Sequence, residues 1–201
     1  MSEPDALVAR ITITPENLER WFSSKIPPLE KWGQDWQDWV DYLCARSNRA
    51  SKNWRELNSG RWSYPECSGY VSGFIDSFLD RDFHPPSIWT QIWYDEQTKI
   101  WQFLGIEVAE DLNHMMTLLT PFRAVEAFSE GDKDDYVAFT NLFYSPESEY
   151  SSAAVQFVEG KSLMLKEEKL PTSFMQDIRD QFHKAKKDRI ITAFQPNAWA
   201  D

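Results

Sequence analysis

The segment IWTQIWYDEQTKIWQFLGIE, residues 88–107, marks the change from a helical to a strand-rich part of the chain. Residues 88–94 and 99–107 are rich in Ile, Trp and Phe, which are common in β-strands. The four polar residues between them, 95–98, have the composition of a turn. The segment is therefore predicted to form a β-hairpin.

The chain before this hairpin has helical patterns. Thr14 and Pro15 have the residue types of a helix cap and a first helical residue. Residues 29–46 carry apolar side chains at helical spacing, and residues 63–79 combine a capping-box pattern with a repeat at i, i+3, i+4 and i+7. Residues 1–82 are therefore predicted to be mainly helical.

The chain after the hairpin has further strand patterns. Residues 136–144 alternate between apolar and polar side chains, as expected of a half-buried strand. Residues 153–158 and 163–169 flank the turn Gly160-Lys161-Ser162, which predicts a second hairpin.

Helical signals also occur in this second half. Residues 112–119 are ambiguous, whereas Thr120-Pro121 predicts the start of a short helix that ends before Gly131. Thr172 is predicted to cap a last helix with Phe174, Met175, Ile178 and Phe182 inward, and residues 189–194 could return as a strand.

These elements predict one α+β domain over residues 1–201, because helices come first and mainly antiparallel strands follow. The N-terminal helices, residues 1–82, should pack on a sheet built from residues 88–169. A C-terminal helix, residues 172–188, completes the domain. No internal repeat or low-complexity linker divides the chain.

The formal net charge of −11 is concentrated in the middle of the chain. Residues 88–160 hold thirteen Asp and Glu against three basic residues. A field of one sign attracts oppositely charged partners and repels nucleic acid and anionic membranes. The charge therefore predicts a basic protein partner, no direct nucleic-acid binding and no membrane binding.

No local motif of an enzyme is present. The sequence Glu159-Gly160-Lys161-Ser162 ends like a phosphate-binding loop, but Val155 stands where that motif needs glycine. Two Asp and His pairs three residues apart, Asp111 with His114 and Asp180 with His183, lack the further ligands of a helical metal centre. The sequence therefore predicts a protein that is not an enzyme and has no cofactor or metal.

Two features bear on location. The first 21 residues lack the basic and apolar regions of a signal peptide, and no stretch approaches 18 apolar residues. Cys44 and Cys67 are too few and too far apart for a disulfide scaffold, so both are expected to be reduced. The sequence predicts a cytoplasmic protein.

Tryptophans fall into two groups. Trp32, Trp36 and Trp39 form one helical stripe and are predicted to lie in the core. Trp89, Trp93 and Trp101 belong to the first hairpin, where some could face outward beside the acidic residues and clamp cationic side chains.

A small, acidic, aromatic-rich domain with a run of carboxylates beside tryptophans resembles the immunity proteins of bacterial toxin systems, including contact-dependent inhibition. The resemblance implies a stoichiometric inhibitor that covers the basic active site of a cognate toxin, such as a nuclease. The predicted partner-binding residues are Trp93, Asp95, Glu96, Glu107, Glu110, Asp111, Glu130, Asp132, Asp134, Asp135, Glu147 and Glu149.

Two alternatives remain open. The first is a phage-type anti-defence protein that mimics the charge of nucleic acid and inhibits a nucleic-acid-binding enzyme. The second is an enzyme whose carboxylate site assembles from scattered residues. A deep pocket with convergent polar groups would favour the enzyme, and an exposed acidic and aromatic face would favour an inhibitor.

Overall fold

The computed structural model describes residues 5–58, 69–79, 90–109, 111–140, 151–166 and 170–187. The described strands form one six-stranded antiparallel sheet in the order β2-β3-β1-β4-β5-β6. The strands are β1 (Asp5–Thr12), β2 (Thr90–Asp95), β3 (Ile100–Ala109), β4 (Tyr136–Thr140), β5 (Ser151–Val158) and β6 (Lys161–Met164). The predicted α+β class and both predicted hairpins are confirmed, although β6 is shorter than residues 163–169 and begins earlier.

Helices lie on both faces of this sheet. They are α1 (Pro15–Phe22), α2 (Gly33–Arg46), α3 (Trp54–Asn58), α4 (Val71–Leu79), α5 (Leu112–Arg123) and α6 (Thr172–Lys187). A 3₁₀ turn at Leu29–Trp32 precedes α2, and another at Ala124–Ala127 follows α5. Residues 63, 66 and 189–194, to which a capping box and a last strand were assigned, lie outside the described residues.

Strand β1 was not predicted, yet it lies in the middle of the sheet. Leu7 pairs with Gly105 of β3 on one side and with Phe139 of β4 on the other. Leu7 and Val8 are both fully buried, although they point to opposite faces. Because both faces are covered, β1 has a nearly continuous apolar sequence instead of the alternation that identifies a half-exposed strand.

One face of the sheet carries the larger core. Trp101 of β3 meets Trp21 of α1 edge to face, with ring centroids 5.1 Å apart, and Phe122 of α5 lies 6.1 Å from Trp101. The same core contains Trp32, Trp36 and Trp39, so their predicted burial is confirmed.

Helix α6 covers the other face. Phe174, Met175 and Ile178 pack against Val8 and Tyr136, as the sequence predicted for the inward face of this helix. The Tyr136 and Phe174 rings stack with their centroids 4.6 Å apart. The sheet is therefore the middle layer of three.

The predicted helix start at Thr120-Pro121 is wrong. Helix α5 begins at Leu112, and Thr120 and Pro121 lie inside it. The Thr120 hydroxyl donates to the Met116 carbonyl, and the Pro121 carbonyl accepts from the Trp21 indole at 3.2 Å. Pro121 therefore lies in the last turn of α5, where Trp21 supplies a donor to one of the last carbonyls of the helix.

No described helix has the length and apolar character needed to span a membrane.

Candidate functional site

Four connections of the sheet meet at one end of it. The Ile13 amide donates to the Lys99 carbonyl at 2.8 Å, so the β2–β3 turn lies beside the end of β1. The Glu130 amide donates to the Thr12 carbonyl at 3.2 Å, which brings the segment before β4 to the same place. Gly131 lies against Gly160 of the β5–β6 turn, close enough that a β-carbon on Gly131 would be 3.5 Å from the Gly160 nitrogen.

Carboxylates collect on these connections, and we call this surface the acidic end. Most of its carboxylates are exposed, and Asp134 is half-buried. Lys99, Lys133 and Lys161 lie in the same connections, so the surface is acidic in balance. The acidic end consists of Glu16, Asp95, Glu96, Glu130, Asp132, Asp134 and Glu159.

The phenol of Tyr94 lies within the electrostatic influence of four of these carboxylates. Its hydroxyl donates to the Ile13 carbonyl at 3.0 Å. Burial raises the pKa of Tyr94, and the negative charges of Glu16, Glu96, Asp95 and Glu130 raise it further. Turns and a helix far apart in the sequence therefore bring their charges to one phenol.

Asp95 is fixed within the β2–β3 turn. Its carboxylate accepts from the Gln97 amide at 2.8 Å and the Thr98 amide at 3.3 Å. These backbone hydrogen bonds lower the pKa of Asp95, with the Gln97 amide contributing most. Asp95 is therefore a permanently ionised and exposed carboxylate at neutral pH.

Asp135 was predicted as a partner-binding residue, but it does not belong to this exposed surface. It is fully buried, and its Oδ1 accepts from the amide and the hydroxyl of Thr12, each at 2.8 Å. Arg10 Nη1 lies 3.4 Å from the same oxygen, while Oδ2 has no hydrogen-bond partner. Burial raises the pKa of Asp135 to about 6. This carboxylate ties β1 to the start of β4.

Asp111 lies at the opposite end of the sheet. Strand β3 runs from Ile100, which pairs with Thr12, to Ala109, which pairs with Asp5. At about 3.3 Å per residue, its length places Asp111 roughly 30 Å from Asp95. The predicted acidic residues therefore do not form one face. Glu110, Glu147 and Glu149 lie outside the described residues, as does the side chain of Glu107 within β3.

The carboxylate of Asp111 caps helix α5, where its Oδ1 accepts from the His114 amide at 2.8 Å. Replacing Asp111 by alanine is expected to lower the free energy of unfolding by about 1 kcal/mol, because the first turn would lose this acceptor. Asn is also a good cap, so Asp111→Asn should lose much less. Urea unfolding of the two variants measures the difference, and equal losses would contradict a capping role.

A groove of about 510 Å³ opens beside the acidic end, between the β2–β3 hairpin and α6. Trp93 lies half-buried in it, with Lys184 Nζ 4.5 Å from the centre of its ring. Asp95, Asp177 and Arg10 also line the groove. Two predicted site residues, Trp93 and Asp95, therefore line the same groove.

Asp177 is held by a network below this groove. Its Oδ2 accepts from the Tyr136 hydroxyl at 2.7 Å and from Gln181 Nε2 at 2.9 Å. Its Oδ1 accepts from Gln102 Nε2 at 3.3 Å and lies 3.9 Å from Arg10 Nε. The orientation of this carboxylate is therefore fixed by strands β1, β3 and β4.

Sequence reasoning did not find Glu16, Glu159, Asp177 or Lys184 as parts of this region. In the sequence, Glu16 and Lys184 have the pattern of ordinary solvent-facing helix residues, and Glu159 has that of a turn residue. Their positions depend on where α1, α6 and the second hairpin meet the sheet, which local patterns do not encode.

Within the described ranges, no three His, Cys, Asp or Glu side chains are grouped so that they could hold a metal ion. The chemistry that this end of the sheet offers is the binding of cations by carboxylates and an indole ring. A scan against protein-family models and searches of curated proteins and of solved structures find no match for this chain.

Proposed function

We propose that the protein is a stoichiometric inhibitor that binds a basic protein partner through the acidic end. The observation that carries the proposal is that the connections bearing Asp95, Glu96 and Glu130 meet at one end of the sheet, where carboxylates outnumber lysines. Like charges held together repel one another, so a partner that brings positive charge relieves this repulsion.

The physics of exposed charges suggests what this surface contributes. Exposed ion pairs add little to affinity, but a field of one sign accelerates encounter with an oppositely charged surface. Aromatic side chains instead slow dissociation when they are buried at an interface. Trp93, half-buried beside Asp95, would be such an anchor.

The proposed partner is a toxin whose active site is basic. Nucleases need such sites because they bind the phosphate backbone. A cytoplasmic immunity protein that covers this site would protect the cell that makes it. The proposal combines the charge of the acidic end with the resemblance drawn from the sequence.

The proposal predicts a rate effect at the acidic end. The partner is first captured on the immobilised full chain, identified by mass spectrometry and purified. Glu96→Gln with Glu130→Gln should then slow its association about three- to tenfold at low ionic strength, because two charges leave the field that steers encounter. Surface plasmon resonance over a salt series measures the association rate, which should also fall as salt is raised.

A matched control removes two charges elsewhere. Asp76→Asn on α4 with Asp111→Asn at the opposite end of the sheet changes the net charge equally. It should leave the association rate close to that of the unmodified protein. If the two double variants slow association equally, or if salt has no effect, the acidic end is not the binding surface.

A further inference from the structure

We propose that the groove between Trp93 and α6 is a subsite for an arginine side chain of the basic partner, which displaces Lys184 of the same chain. This inference rests on the proposed function and names the partner chemistry at one point of the interface. The groove is a preformed cation site, because a cation of the chain itself occupies its aromatic wall.

Lys184 already makes a cation contact with the Trp93 ring. The ammonium lies 4.5 Å from the ring centre, within the range of a cation–π interaction. Lys184 is exposed and its side chain is long and flexible, so little holds it in place. It can swing into solvent without disturbing the packing of α6.

Two carboxylates supply the counter-charge. Asp95 lies at the hairpin rim of the groove, and the Asp177 side chain is 25% exposed within it. Among the described residues, Asp177 Oδ1 has the 3.3 Å bond from Gln102 and a 3.9 Å approach to Arg10, which leaves it room to accept another donor. Arg10 also faces Asp135, which takes up part of its positive charge.

Guanidinium fits this arrangement better than ammonium does. Its planar group stacks flat on an indole while its edge donates to carboxylates. Lys184 offers a single rotating ammonium, which is a weaker match to a ring and two carboxylates. A groove of about 510 Å³ has room for an arginine side chain once Lys184 leaves.

The test uses N-acetyl-arginine methylamide as the probe and the full chain as the receptor. The indole N–H signal of Trp93, assigned with Trp93→Phe, is followed by nuclear magnetic resonance during titration. We expect a saturable shift with the arginine probe and none with N-acetyl-citrulline methylamide, which has nearly the same shape but no charge.

Lys184→Met should tighten probe binding about threefold or more. The competing cation is removed, so a larger fraction of the protein has an open groove that can bind the probe. Asp95→Asn should weaken it. Arg179→Met is the matched control, since it removes one positive charge from the same helix outside the groove lining, and it should change binding less than Lys184→Met does. Residues 95, 179 and 184 are exposed or half-buried, so these variants keep the core intact.

The subsite would be overturned if the arginine probe did not shift the Trp93 indole signal. It would also be overturned if Lys184→Met and Arg179→Met changed probe binding equally. The two proposals fail separately. If neutralising Glu96 and Glu130 slows association of the partner while the probe does not shift the Trp93 indole signal, only the subsite is wrong. If the probe binds as expected while that neutralisation has no effect, the subsite stands and the acidic end is not the steering surface.

Discussion

Replacing Asp35 by asparagine is expected to lower the free energy of unfolding by about 3 kcal/mol, because the buried guanidinium of Arg123 would lose its counter-charge. Arg123 has no exposed side-chain surface, and its Nη2 donates to Asp35 Oδ2 at 2.6 Å. Burial lowers the pKa of Arg123 to about 10, which still leaves it protonated at neutral pH. The substitution therefore removes the carboxylate paired with this buried cation and leaves it with the weaker attraction of Glu126.

The surroundings of Arg123 keep the expected loss from being larger. Its Nη2 also donates to the Ser162 carbonyl at 2.7 Å, and its Nε donates to the Ser162 hydroxyl at 3.1 Å. The guanidinium lies 4.8 Å from the ring centre of Trp32 and 4.4 Å from that of Trp36. These contacts remain in Asp35→Asn and continue to stabilise the cation.

Glu126 extends this network to the second hairpin. Burial alone would raise the pKa of Glu126, but hydrogen bonds from Lys31 and Ser162 outweigh it and lower the pKa. Glu126 Oε2 accepts from both the amide and the hydroxyl of Ser162, at 2.7 and 2.6 Å. The network therefore joins α2, the end of α5 and β6, so its loss should affect the whole fold.

Urea unfolding at neutral pH measures this prediction. The matched control is Asp38→Asn on the same helix, because Asp38 pairs with Lys166 where both side chains are about 40% or more exposed. An exposed pair contributes little, so Asp38→Asn should leave the unfolding midpoint nearly unchanged.

Combining Asp35→Asn with Arg123→Met tests the cause. If the cost comes from an unpaired buried charge, the double variant should lose less than the sum of the two single losses. Additive losses would show that Asp35 and Arg123 act independently, and the ion pair would not be the reason for their burial.

Local patterns predicted the elements that depend on local chemistry. The first hairpin has strand-forming residues on both sides of a polar turn. Helix α6 has an apolar face, and this face is buried against the sheet. Helix α1 begins after Thr14, whose hydroxyl accepts from the Asn17 amide as the Thr-Pro pattern predicted. In each case the deciding residues lie within a few positions of one another.

Strand β1 and helix α5 depend on distant residues instead. Strand β1 pairs with segments about 95 and 130 positions away, and its two buried faces remove the alternation that would have revealed it. In α5, Asp111 was a suitable cap residue, but Thr120-Pro121 gave a stronger local signal for a later start. The carbonyl of Pro121 is instead used by Trp21, a contact that no local pattern contains.

The candidate site divides in the same way. Asp95 and Glu96 in a polar turn, and Glu130 and Asp132 before a strand, follow from composition and turn chemistry. The burial of Asp135 does not, because it arises from the donors that β1 brings to its carboxylate. Within one acidic run, neighbours as close as Asp134 and Asp135 thus have different environments.

Asp135 also gives the fold a titration that can be measured. Its pKa of about 6 in the folded protein lies above the ordinary value of 3.8, so the folded state binds this proton more tightly than the unfolded state does. The resulting stability is fully present below pH 3.8 and is lost as the pH rises through 6. Relative to Asp135→Asn, the protein should therefore gain roughly 2 kcal/mol between pH 7.5 and pH 4.

The comparison with asparagine isolates this carboxyl from the rest of the chain. Other carboxylates, such as Glu126, have lowered pKa values, and their protonation destabilises the folded protein as the pH falls. The absolute free energy of unfolding therefore reports several groups at once. Asparagine keeps an oxygen that accepts from Thr12 but cannot titrate. Asp134→Asn is the control for the substitution itself, because it removes a half-buried carboxylate from the neighbouring position.

Urea unfolding of the three proteins at half-unit steps from pH 4 to 7.5 measures the effect. Three donors surround Oδ1 of Asp135, whereas Oδ2 is buried without a partner, and this asymmetry is why desolvation outweighs the hydrogen bonds. A stability difference between the unmodified protein and Asp135→Asn that stays constant over this range would show that Asp135 has an ordinary pKa. Water would then reach Oδ2, and Asp135 would return to the set of carboxylates that a basic partner can contact.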